Sequence, residues 1–253
     1  MCVMIALAVP ALADTLVLQN GLNGYAGTTD AWLDESRSHY NFGSTQSFEM
    51  KYSDGVSDTT VLKFDNINSL IGPGKTITSA TLKLYYIASD GMVSNNSLEI
   101  VAYQLNAGKS WYENIYDGVT GYGVNWRYRD NNQSLAWSGP VYGGWNDSTD
   151  IGNGVAWIKP TGGSGQGYEP GSWALWNVTN SVRSWYAGAE NNGFLMAAVQ
   201  LYGNGSIAGG VFSSRNNTSS YPLYRPILEI NFTPEPATLS LAVLGGLAVI
   251  RRR

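Results

Sequence analysis

Hydrophobic and polar positions alternate most strictly between residues 59 and 86. In residues 60–65, Leu62 and Phe64 share one face, and Val61 and Lys63 share the other. In residues 78–86, Ala80, Leu82, Leu84 and Tyr86 alternate with Thr81, Lys83 and Tyr85. A period of two predicts half-buried β-strands, because successive side chains point to opposite faces. Gly72-Pro73-Gly74 supplies a turn between the two strands. Each inward Leu or Phe contributes roughly 1.5–3 kcal/mol on burial. The pair therefore predicts the seed of a sheet.

The same alternation, bounded by Gly, Asn and Pro, predicts strands at 15–19, 47–52, 98–105, 173–176, 194–201, 210–214 and 226–232. One short helix is predicted near 177–187. Asn177 can cap it, Val178, Val182 and Trp185 form an apolar stripe, and Gly188 follows its end. Residues 106–171 read differently. They are rich in Gly, Asn and Tyr, have weak periodicity, and carry Trp111, Trp126, Trp137, Trp145 and Trp157. A long irregular insertion in a compact domain points to function or flexibility.

Charge narrows the function. Only 13% of the 253 residues are charged and the net charge is −4. That argues against a nucleic-acid partner, which needs a basic stripe. The single cysteine, Cys2, lies in an apolar leader, so the remainder has no disulfide framework and no Cys-based metal site.

Both ends read as sorting signals. Residues 1–13 are apolar and end Ala11-Leu12-Ala13, the pattern of a signal peptide cleaved after Ala13. The domain then spans 14–232. Residues 233–253 contain Pro234, Glu235 and Pro236, an apolar run over 237–250, and Arg251, Arg252 and Arg253. That run is short for a membrane span, which needs about 20 residues. The order of tripeptide, apolar run and basic end resembles the PEP-CTERM sorting signal. The resemblance implies processing by signal peptidase and an exosortase, and transient anchoring in the inner membrane of a Gram-negative-type bacterium. Delivery would be to the cell surface or the exopolysaccharide matrix.

The domain itself resembles the DNRLRE-type β-sandwich family. The resemblance is carried by Asp30-Ala31-Trp32, the turn Asn41-Phe42-Gly43, the central run 62–86, Trp111-Tyr112-Glu113 followed by Thr120 and Trp126-Arg127, the helix from Asn177, Val211-Phe212-Ser213-Ser214-Arg215-Asn216, and Arg225-Pro226-Ile227-Leu228. It covers most of 19–232 and is patchy in the insertion. It implies an all-β fold, a single jelly-roll β-sandwich with the one short helix. It also implies a surface or matrix protein. Some relatives are attached to polysaccharide-degrading enzymes, and one branch is classed as alginate-binding.

Catalytic candidates are few. The one histidine, His39, sits in a polar loop, and no nucleophile elbow, metalloprotease motif or dinucleotide fingerprint occurs. Three carboxylate pairs are close in sequence: Glu113 with Asp117, Asp147 with Asp150, and Asp54 with Asp58. Asp is also a favoured turn residue. A structural calcium suits the supply of Asp, Asn and carbonyl oxygens, but no EF-hand pattern occurs and no metal ligands can be assigned.

The expected function is a non-catalytic module binding a polysaccharide, acidic and alginate-like if it follows the alginate-binding branch. Trp126, Arg127, Trp137, Tyr142 and Trp145 of the insertion are the candidate contacts. Indole and phenol rings pack on sugar faces, and a guanidinium bonds hydroxyls or carboxylates. Two alternatives stand beside it. One is a purely structural surface protein, in which these tryptophans are core. The other is a small polysaccharide lyase or glycoside hydrolase, which needs carboxylates, or a Tyr and Arg near one, converging in a groove.

Overall fold

The computed structural model describes residues 13–53, 57–90, 97–139, 149–158, 170–202, 207–218 and 222–234. The expected signal peptide and the tail beyond Pro234 lie outside the described residues. The strands are β1 (Asp14–Gln19), β2 (Thr28–Asp34), β3 (Tyr40–Asn41), β4 (Ser47–Ser53), β5 (Asp58–Phe64), β6 (Lys75–Asp90), β7 (Ser97–Leu105), β8 (Val119–Thr120), β9 (Tyr128–Asp130), β10 (Leu135–Ala136), β11 (Ile151–Ile158), β12 (Ser172–Asn177), β13 (Phe194–Tyr202), β14 (Ile207–Ser213) and β15 (Ile227–Pro234). The helices are α1 (Ile67–Ile71) and α2 (Thr179–Tyr186).

The protein is mostly β. Eleven strands form one curled antiparallel sheet. Long β6 organises one half: β12 pairs along one edge, β15 and then β14 along the other. β1 extends from β15 and β4 from β14. The second half runs β2-β5-β13-β7-β11. The halves join where Lys51 of β4 pairs with Asp58 of β5.

The alternation in the sequence becomes the core between the halves. Ala80, Leu82, Leu84 and Tyr86 of β6 are buried, as are Leu62 and Phe64 of β5. They share one cluster with Ile100, Trp176, Phe194, Phe212 and Leu228. Helix α2 closes the cluster with Val182 and Trp185, joined by Val178 just before it. Val178, not the expected Asn177, is the N-cap residue; the Asn177 amide oxygen accepts from the Thr179 N–H at 3.2 Å one position outside it, and Gly188 follows the helix at φ 104°.

Three features differ from expectation. A second helix, α1, occupies part of the predicted loop before Gly72. Its five residues are too few to show a helical period, and Asn66 starts it from a left-handed φ of 65°. Strand β11 forms inside the insertion, where Gly152 and Gly154 interrupt any alternation. Val61, on the face opposite Leu62, is fully buried rather than half-exposed. The insertion causes this. Trp111, Val124, Trp126 and Trp137 fold over the outer face of the second half and build a second core with Ala31, Leu33, Val61 and Leu195.

Candidate functional site

Strand β2 alternates between the two cores. Ala31 and Leu33 face the second core, and Trp32 packs against the first. Asp30 lies opposite Leu62 in register and is buried. A carboxylate in that position needs partners, because a buried unpaired charge is costly. It finds them just past β14. The Ser214 hydroxyl donates to Asp30 Oδ1 at 2.8 Å, and the Arg215 N–H donates to Oδ2 at 2.7 Å.

Glu113 completes the cluster. Arg215 Nε donates to Glu113 Oε1 at 2.6 Å and its Nη2 donates to Oε2, a bidentate pair. The Asp30 N–H donates to Glu113 Oε1 at 2.8 Å. The chain around Glu113 is held as well. Asn41 Nδ2 donates to the carbonyls of Glu113 and Val124 at 2.8 and 2.7 Å. Asn216 Nδ2 donates to the Gly43 carbonyl at 2.9 Å. A Cβ on Gly43 would collide with the carbonyl oxygens of Glu113 and Asn114, so only glycine permits this approach.

Burial governs the electrostatics. It pushes the Asp30 carboxyl up to about 6, against the pull of the Arg215 and Ser214 hydrogen bonds. It pushes Glu113 up to about 7, with Arg215 lowering it and the Asp30 charge raising it. Two carboxyls and an arginine therefore do converge, as a hydrolase or lyase would require. Their oxygens are already bonded within the protein, however, and Asp30 is closed to solvent. The arrangement ties three distant segments together; reaching a glycosidic bond would require it to open.

The tie holds a loop whose aromatic residues divide by type. Trp111, Trp126 and Trp137 turn inward, with Trp126 8% and Trp137 4% exposed. The Trp111 and Trp137 indole N–H groups donate to the carbonyls of Asn192 (2.9 Å) and Asn125 (3.0 Å). Two tyrosines turn outward, and Tyr116 is half-buried between. Tyr112 is 56% and Tyr122 40% exposed, beside Ile115 at 77%. The Tyr116 and Tyr122 ring centroids lie 4.7 Å apart. Short strand β8 pairs Thr120 with Tyr40 of β3, which brings the exposed Tyr40 to the same loop.

Of the expected sugar contacts, the described tryptophans do not reach the surface. Trp126 and Trp137 are core. Arg127 is half-buried and its Nε donates to Ser38 Oγ at 3.0 Å. Tyr142 and Trp145 lie outside the described residues. Of the sorting residues, Pro234 ends β15 opposite Lys75, while Glu235, Pro236, Arg251, Arg252 and Arg253 lie outside the described residues. Among the carboxylate pairs, Glu113 is bound as above and Asp117 is exposed. Asp150 takes an ion pair from Lys109 at 2.8 Å, and Asp147 and Asp54 lie outside the described residues. His39 is exposed in a turn. Among the described residues no group of three or more acidic, His or Cys side chains could hold a metal ion. Nor is any described helix long and apolar enough to cross a membrane.

Sequence reasoning missed Asp30 and Arg215 as partners of Glu113. A signal was present: Asp30-Ala31-Trp32, Asn41-Phe42-Gly43, Trp111-Tyr112-Glu113 and Ser213-Ser214-Arg215-Asn216, four of the stretches singled out in the sequence, meet at this one point.

No protein-family model matches the chain, and no curated protein matches it.

Proposed function

We propose that the chain is a non-catalytic surface or matrix module that binds polysaccharide. Its fold would be the jelly-roll β-sandwich of the DNRLRE-type family. Export and PEP-CTERM sorting by an exosortase belong to the same proposal and rest on the sequence of the two ends. The observation that carries the reading is the buried tie of Asp30, Glu113 and Arg215. It consumes the convergent carboxyls in holding a surface loop in place, and it is built from four of the stretches that resemble the family. Rigid support beneath a displayed loop favours binding, since less ordering is left to occur when a ligand arrives.

The full-length protein, titrated by calorimetry against neutral and acidic polysaccharides with calcium and with chelator, tests this. Saturable binding without release of reducing or unsaturated ends is the expected result. Cleavage of any of the polymers would establish the hydrolase or lyase alternative instead.

The purely structural reading is favoured by one specific observation, the burial of Trp126 and Trp137 in the second core. It predicts no binding to any polymer.

A further inference from the structure

Among the described residues of the insertion, Trp111, Trp126 and Trp137 are buried while Tyr112 and Tyr122 are exposed. Residues 112–122 read Tyr-Glu-Asn-Ile-Tyr-Asp-Gly-Val-Thr-Gly-Tyr. The stretch has no Lys or Arg; its two acidic groups are Glu113, bound to Arg215, and the exposed Asp117. Of the cations nearby, Arg37 is paired with Asp34 and Lys63 with Asp65, while Arg127 donates to Ser38 and Arg129 to the Gly108 and Ser110 carbonyls. The exposed charge carried by the stretch itself is therefore acidic, and Asp117 would repel a polyanion.

We propose that this loop is the binding surface for an uncharged polysaccharide, which stacks its sugar faces on the outward tyrosine rings. The proposal rests on the reading above and revises its ligand from an acidic to a neutral polymer. Phenol rings supply apolar faces for C–H groups and hydroxyls that both donate and accept, which suits a chain of sugar hydroxyls. Size argues against a second copy of the protein as occupant. The exposed parts of Tyr40, Tyr112, Ile115, Val119 and Tyr122 amount to on the order of 500 Å2, below the roughly 800 Å2 per partner of a stable protein interface. They suffice for a few sugar rings. The loop is also fixed in advance: the Ser44 N–H donates to the Tyr116 carbonyl at 3.1 Å, and the Gly118 N–H donates to the Asn41 carbonyl at 2.8 Å.

A second aromatic group provides the control. Tyr85 of β6 stacks on Tyr224 with centroids 3.9 Å apart, and Trp173 of β12 stands edge-on 5.4 Å from Tyr85.

The test uses full-length protein, a soluble neutral β-glucan and alginate, read by affinity electrophoresis and calorimetry. The variants are the double substitution Tyr116→Ala/Tyr122→Ala, the single substitution Tyr112→Ala, and Trp173→Ala, each checked for an unchanged thermal midpoint. The wild type is expected to bind the glucan and not alginate. The double variant should bind it at least tenfold more weakly, and Trp173→Ala should bind it as the wild type does. Glucan binding that survives the double substitution would overturn the site while leaving the function standing. Preference for alginate would overturn the ligand class. Binding of neither polymer by the wild type would overturn the function and the site together. A concentration-dependent dimer abolished by the double substitution would make a second copy the occupant.

Discussion

Arg215 clamps the carboxylate of Glu113 with two nitrogens across 102 residues of chain. Asp30, on a strand from the start of the domain, bonds to both: its N–H to Glu113 and its carboxylate to the Arg215 N–H. The three residues join the first strands, the insertion and the end of β14. A bond of this kind is worth little on a wet surface and a good deal when removing one partner strands a buried charge.

Arg215→Ala should therefore destabilise the domain by about 3–5 kcal/mol at pH 8, the range for breaking a buried ion pair. At pH 5 the loss should be smaller, because Glu113 can then take a proton instead of standing as an unpaired charge. Urea unfolding at the two pH values measures the difference.

Stability should fall as pH rises. Burial raises Asp30 to about 6 and Glu113 to about 7, and burial with the nearby Asp34 charge raises Asp58 to about 7. Each binds its proton more tightly folded than unfolded, so between about pH 4 and 7 the native state holds more protons and loses stability as they leave. Asp34 works in the opposite sense at the acid end. Burial alone would raise it, but hydrogen bonds from Ser36 and Arg37 outweigh that and lower it. Its contribution is present above the ordinary Asp range and is lost below it. The thermal midpoint should be higher at pH 5 than at pH 8, and Glu113→Gln should flatten the slope. A midpoint that rises from pH 5 to pH 8 would contradict the assignment.

The two aromatic types of the insertion should respond in opposite ways. Trp137→Ala or Trp126→Ala removes a second-core side chain and should cost about 3–5 kcal/mol. Tyr122→Ala or Tyr112→Ala alters an exposed ring and should stay within about 0.5 kcal/mol. Denaturant midpoints of the four variants give the comparison.

Gly43→Ala should destabilise by about 1–3 kcal/mol, as overpacking does. The added methyl would meet the Glu113 and Asn114 carbonyls, which are backbone and cannot swing aside. Gly123 sits on the other side of the same loop at φ 54°, where a side chain would be strained and would meet Asn41 Nδ2.

What could be read in the chain was what local patterning governs. The alternation at Leu62–Phe64 and Ala80–Tyr86 located the central strands and their inward faces, and the spacing of Val178, Val182 and Trp185 located α2. Helix α1 was hidden because five residues span little more than one turn. The direction of Trp126 and Trp137 was hidden for a different reason. A tryptophan in an aperiodic segment carries no face, and only the sheet surface of Val61 and Leu195 beneath it decides that it is core. The pairing of Asp30 with Arg215 spans 185 residues and depends on how two strand ends meet, which no local pattern records.

Hydroxyl-radical footprinting of the full-length protein, with and without a neutral β-glucan, tests the central claim most directly. The account predicts that Tyr112, Tyr116 and Tyr122 are modified in the free protein and shielded by the polymer. It predicts that Trp126 and Trp137 stay protected in both states. Ready oxidation of Trp126 and Trp137 in the free protein, suppressed when polymer is added, would contradict it and return the tryptophans to the surface as the sugar contacts.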